Sequence, residues 1–243
     1  MTILSCISRF FSITHEQAGR DTMFLKQSNA FRTVVFIFRL CAFIYLSIWL
    51  ITGVLYNLIT LEYYTVQSFV WVYIYFAFSV SYGRQILDYT EPQPFDGEMK
   101  LNGRDYLTYI FSILGLAGGG TAMVGFWAFL FPLFSAADVS GWTIFWDYFT
   151  PHGMSFIFIV IDILCLSRVQ FKIAHCIIPL VMVFTYLGFA MIYYSIHKIY
   201  IYPFLDLSTE GAWVAWVSLS LFPSIVSAAM WLLQIIRGKI FSK

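Results

Sequence analysis

Every cluster of charge in this 243-residue chain is separated from the next by an apolar run long enough to cross a bilayer. About 20 apolar residues in an α-helix match the hydrocarbon thickness, and a helix satisfies its own backbone polar groups there. Six such runs are read from the sequence, at about 34–58, 64–82, 106–131, 152–166, 173–196 and 212–236. Hydrophobic residues make up 60% of the chain and charged residues 11%, against about 25% charged in soluble domains, so water is not the solvent of most of this surface. The expected fold class is all-α: a polytopic membrane bundle of six transmembrane helices. Its domains are a cytosolic N-terminal arm at 1–33, a membrane domain at 34–236 and a cytosolic tail at 237–243. A net charge of +1 argues against nucleic acid as a partner.

The basic residues set the orientation. Of 14 Lys and Arg, twelve fall in the N-terminal arm, the connection at 83–104, the connection near Arg168 and Lys172, and the tail. The opposite connections hold only Lys198. Short cytosolic connections are enriched in Lys and Arg, so both termini are placed in the cytosol. Arg39, the remaining cation, lies near the start of the first run, where its side chain is expected to snorkel to the interface. Trp142, Trp146, Tyr148, Trp213 and Trp216 read as an aromatic belt on the non-cytoplasmic side. That side has no N-x-[ST] site, and the short apolar patch at 3–13, broken by Arg9, does not read as a cleavable signal peptide.

Cys6, Cys41, Cys165 and Cys176 show neither metal nor redox spacing, so they are expected to pack as small apolar residues, with Cys6 open to palmitoylation. No metal and no cofactor is expected: the two His residues of one face plus Asp206 lack a ligand spacing, and His152 and His197 lie too near the surface for a haem pair.

Topology turns scattered polar residues into a cluster. Thr65 begins the second run, His152 the fourth, and His197 ends the fifth, all at the non-cytoplasmic face, together with Glu62, Asp147 and Asp206. An imidazole beside a hydroxyl can take its proton while the alkoxide attacks an ester carbonyl, giving an acyl intermediate that water then hydrolyses. The alternatives are a helix N-cap for Thr65 and a loop-bonded helix-start residue for His152.

The stretch HGMSFIFIVID, from His152 to Asp162, and the later IHKIYIYPFLD, from Ile196 to Asp206, resemble the androgen-induced-gene family of multipass membrane hydrolases. YYTVQSFVWVYIYF, with Thr65 as its third residue, is similar to that family's early Thr-bearing span. The resemblance implies cleavage of fatty acid esters of hydroxy fatty acids, with Thr65 as nucleophile and His152 as base. It also implies a membrane lipid substrate and residence in the endoplasmic reticulum or plasma membrane of a eukaryote. YIYPFLD, the Asp-Ile-Leu after the His-initiated span, and AHCIIP at 174–179 also look like the rolling-stone proteins, which implies a non-enzymatic role in scaffolding or cell fusion. A small transporter is the third alternative.

The other polar residues carry lesser roles. Ten residues along a helix put Asp162 about 15 Å from His152, too far for a triad. It reads as a polar anchor inside the bundle, or as part of a substrate pathway. Asp206 or Glu62 is at the right depth to orient the imidazole, and His197 is either an auxiliary catalytic group or a belt residue. Gly115, Gly118, Gly119 and Gly120 allow close helix approach or break the helix around a cavity.

Overall fold

The computed structural model describes residues 29–56, 61–87, 103–131, 141–167 and 171–241; the arm with Cys6 and His15, and most of the 83–104 connection, lie outside these. Every regular element among them is helical. Helix α1 spans Asn29–Leu55, α2 Tyr64–Leu87 and α3 Gly103–Gly125, which continues as a π-helical turn at Phe126–Leu130. Helix α4 is composite: Gly141–Thr143, a π-helical stretch at Ile144–Met154, an α-helical turn pair at Ser155–Ile161, and a second π-helical stretch at Asp162–Leu166. A 3₁₀ turn at Ile173–Cys176 leads into α5, Ile177–His197; another at Pro203–Leu205 precedes α6, Ala212–Phe241.

Five helices among the described residues are long and apolar enough to cross a membrane: those of α1, α3, α4, α5 and α6. Helix α2 has the length, 24 residues or about 36 Å, but its Tyr, Trp, Ser and Gln residues lower its hydropathy. It packs between α1 and α3, and Ser68, Phe69, Val72, Tyr75 and Phe76 are sealed from the outside. A helix screened from lipid by its neighbours tolerates polar atoms that an outer helix would not. Val34, Ile51, Val181, Ile192 and Ile225, on the outer helices, are each more than half exposed, as a lipid-facing surface requires.

Three features depart from the sequence reading. The fourth helix does not begin at His152; it begins at Gly141 and runs through Pro151, so Trp146, Tyr148 and His152 are all helical. Proline has no N–H and normally ends the α-helical ladder. Here the turn is widened to i→i+5 pairing, as in Ser155 N–H to the Thr150 carbonyl. In that register the carbonyl of Trp146 would look to Pro151, which has nothing to donate. The indole N–H of Trp49 donates to it instead, at 3.0 Å. Tyr45 and Thr150 share a hydroxyl pair at 2.8 Å one turn away, joining α1 to the same widened segment.

The second departure is Arg39. It does not snorkel: its Nε donates to Asp162 Oδ1 at 2.8 Å, the Asp162 side chain is fully buried, and Tyr75 donates to Asp162 Oδ2. Two donors compensate a carboxylate that hydrocarbon alone would not tolerate. The third concerns the glycines of α3, which form unbroken α-helix. A Cβ at Gly115 would lie 3.2 Å from the Val72 backbone and 2.9 Å from Ile159, and one at Gly118 would lie 2.7 Å from the Trp71 ring. Close approach of α2 and α4 to α3, not a helix break, is what these glycines provide. Cys41 and Cys165 face outward rather than packing inside. The predicted tail is helical as far as Phe241, and Arg237 donates to the carbonyls of Ile163, Leu164 and Ser167, capping the end of α4.

Removing one partner of a buried pair leaves the other charge uncompensated, whereas replacing both by apolar groups does not. Asp162→Asn is therefore expected to cost about 3–5 kcal/mol of stability, and the double variant Arg39→Met with Asp162→Leu to recover most of it. Unfolding in mixed micelles measures both; equal losses in the single and double variants would contradict the pairing.

Candidate functional site

Thr65 is the second residue of α2, one position inside the helix rather than at its cap, and its hydroxyl forms no capping bond. Its side chain is buried and lines a cavity of about 30 Å³ at the end of the bundle where α2 starts and the 198–211 connection lies. That volume admits one or two water molecules. The walls bring together five elements: Tyr64 of α2, Thr121 and Phe126 of α3, Tyr186 of α5, Tyr202 of the connection before α6, and Leu219 of α6. Apart from these hydroxyls the lining is apolar, with Val183, Leu187 and Leu219 among its residues.

The phenols are ordered by specific partners. Tyr186 donates its O–H to the Glu62 backbone carbonyl at 3.0 Å, which commits its proton. Tyr64 packs edge-on against Tyr186, with centroids 5.1 Å apart, and its phenol pairs with the Thr121 side chain. Tyr202 lies against both the Thr65 side chain and the Tyr186 phenol. Its ring is held by stacking on Phe204, at 5.0 Å and 11°, and by Tyr63 at 5.6 Å. The Trp216 indole donates to the Leu205 carbonyl at 3.1 Å, pinning the connection that carries Tyr202 onto α6. Burial holds the Tyr202 phenol above its ordinary pKa, hence protonated across the neutral range.

His152 is not among the residues lining this cavity, but it touches one that is. The imidazole stacks on Phe126 with centroids 3.8 Å apart and planes inclined by 26°, and Phe126 is itself a cavity residue. No hydrogen bond joins His152 to Thr65. His152 Nδ1 is 2.7 Å from the Tyr148 carbonyl oxygen. A carbonyl only accepts, so Nδ1 carries the proton and Nε2 of the neutral ring keeps its lone pair, the state of a general base. The orienting partner of the imidazole is thus the Tyr148 backbone carbonyl, and neither Asp206 nor Glu62. Both aromatic partners stand on π-helical turns, His152 on Ile144–Met154 and Phe126 on Phe126–Leu130. Such turns recur at functional sites in helical proteins.

The remaining predicted residues lie elsewhere. Asp206 accepts from the backbone N–H and hydroxyl of Ser208, at 2.9 and 2.7 Å, and these bonds hold its carboxyl below the usual carboxylate range. His197 is exposed and rests on the Tyr193 ring at 4.3 Å; the Glu62 carboxylate lies near the same Tyr193. Asp162 belongs to the Arg39 and Tyr75 cluster. No group of three His, Cys, Asp or Glu side chains converges among the described residues.

Sequence reasoning passed over Tyr202, Tyr186, Tyr64, Thr121 and Phe126, because in a chain with 21% aromatic residues a belt aromatic and a cavity aromatic look alike. His175, at the start of the fifth helix, is buried, with Nδ1 2.7 Å from the Tyr109 hydroxyl.

No protein-family profile, curated protein or solved structure matches this chain.

If Phe126 is the ring that covers His152, Phe126→Ala exposes the imidazole to the Thr65 cavity. Acylation of His152 by diethylpyrocarbonate, located by peptide mass, is expected to quicken severalfold while His197 keeps its rate. Unchanged labelling of His152 would show that Phe126 does not shield it.

Proposed function

We propose that this chain is a membrane-embedded lipid ester hydrolase with Thr65 as nucleophile and His152 as general base. The observation that carries the reading is the Thr65 hydroxyl: buried, unused by the helix cap, and facing a small cavity that is otherwise apolar and phenolic. A buried hydroxyl that caps no helix and meets only the Tyr202 phenol is available for chemistry. His152 supports it from behind Phe126, with the tautomer fixed by Tyr148 and Nε2 unprotonated.

The reaction runs in two halves. Thr65 Oγ1 attacks the acyl carbon as its proton passes to His152 Nε2, and the carbonyl electron pair moves onto oxygen. Collapse of that intermediate breaks the ester C–O bond, and the leaving alkoxide takes the proton from His152. Water, deprotonated by the same nitrogen, then attacks the acyl-threonine; Thr65 recovers its proton and the fatty acid leaves. Proton transfer requires the Phe126 ring to swing off the imidazole, and an acyl chain requires the cavity to widen. The element proposed to move is the π-helical turn that begins at Phe126.

The substrate class we propose is a fatty acid ester of a hydroxy fatty acid or a lipid of similar build, reaching Thr65 sideways from the bilayer. We also propose that α2 completes a set of six crossings, with both termini on the cytosolic, Lys- and Arg-rich side. The site then faces the lumen of the endoplasmic reticulum or the exterior of the cell. The unbroken α3 takes away one of the features that favoured a transporter, beside Pro179, Pro223 and Asp162.

The purified full chain in lipid nanodiscs, supplied with a branched fatty acid ester, tests these roles. Thr65→Ala and His152→Ala are expected to lose at least about 100-fold in turnover, whereas Thr65→Ser retains a hydroxyl and a measurable rate. Equal turnover by wild type and both alanine variants would refute the assignment.

A further inference from the structure

An acyl transfer needs a donor aimed at the oxygen on which charge develops, and the proposed hydrolase reading on which this inference rests leaves that donor unnamed. The cavity offers a short set of hydroxyls. The proton of Tyr186 is committed to the Glu62 carbonyl, the Tyr64 phenol is paired with Thr121, and the Thr121 hydroxyl donates to the Ala117 carbonyl at 2.8 Å. Tyr202 is the phenol that faces Thr65 itself.

We infer that Tyr202 is a catalytic residue, the hydrogen-bond donor to the acyl oxygen of the substrate at Thr65. A carbonyl carbon in bonding reach of Thr65 Oγ1 places its oxygen among the groups that already surround that hydroxyl, and Tyr202 is the donor there. As Oγ1 bonds to the acyl carbon and the π pair moves to oxygen, the Tyr202 O–H donates to the oxyanion without giving up its proton. When the intermediate collapses the pair returns to the C=O bond, so Tyr202 ends each half-reaction unchanged. The ring is positioned beforehand by Phe204 and Tyr63, and the Tyr186 oxygen can accept from the phenol between turnovers. A donor fixed in a water-poor pocket needs no reorganisation at the moment of reaction, which is what makes such groups effective. The neutral phenol maintained by burial is the form this role requires.

The experiment compares a p-nitrophenyl acyl ester with its thionoester, in which sulfur replaces the carbonyl oxygen and accepts hydrogen bonds poorly. Tyr202→Phe removes one oxygen and keeps the ring. Its kcat on the oxoester is expected to fall about 100-fold with KM within about threefold, and its oxoester-to-thionoester ratio of kcat/KM to fall at least about tenfold. Because the ratio cancels the fraction of active protein, partial unfolding of the variant does not disturb it. Tyr73→Phe, stacked on Phe43 away from the cavity, is expected to keep the wild-type ratio. An unchanged ratio in Tyr202→Phe overturns the donor role while leaving the hydrolase reading intact. Thr65→Ala run alongside separates the two: wild-type turnover in that variant removes the nucleophile, and the Tyr202 role with it.

Discussion

A carboxylate in the middle of an apolar bundle must be answered by donors, and the answer given to Asp162 sets much of the surrounding geometry. Arg39 comes from α1 and Tyr75 from α2, so one side chain of α4 ties three helices at a single depth. With that register fixed, Tyr45 and Trp49, farther along α1, meet Thr150 and the Trp146 carbonyl on the widened part of α4. The Trp49 bond satisfies the Trp146 carbonyl, which has no donor to meet at Pro151, and lets the helix continue through the proline. His152 inherits its position from this chain of constraints: it stands next to Pro151, on the segment that α1 holds in place.

The helices were largely legible in the sequence because hydropathy at bilayer length is a strong and local signal. What it misread was Pro151, taken as a helix start, since proline is common there and rare inside. The compensation comes from Trp49, about a hundred residues away, and nothing local announces it. Arg39 could have been paired with Asp162: two opposite charges in separate apolar runs at similar depth are better matched with each other than with the interface. The glycines of α3 were readable in kind, small residues for close packing, but which helices they admit follows only from the assembled bundle. Thr65 stands out in the sequence by its place at the start of an apolar run, but its burial in a cavity was not foreseeable. The tyrosines around it come from three separate elements and are indistinguishable by composition from a belt.

The resting arrangement is a closed one. About 30 Å³ beside Thr65 admits water but no acyl chain, and the Phe126 ring on its wall stacks on the His152 imidazole. Under the proposed chemistry the opening that admits substrate must also uncover His152, because Phe126 belongs to both the cavity wall and the imidazole stack. Binding and activation are then a single movement, and water is kept from the base until an ester is present. The π-helical turns on α3 and α4 are suited to it, since a widened turn can shift a side chain's direction without undoing the helix on either side.

The proposed covalent step on Thr65 is what most directly distinguishes an enzyme from a membrane scaffold. The full chain in nanodiscs can be mixed with a slowly deacylated fatty acyl ester, quenched in acid within the first turnover, digested and read by peptide mass. The account predicts one acyl increment on the peptide carrying Thr65, absent from Thr65→Ala and accumulating more slowly in His152→Ala. An increment on another residue, or none while the ester is being consumed, would contradict it.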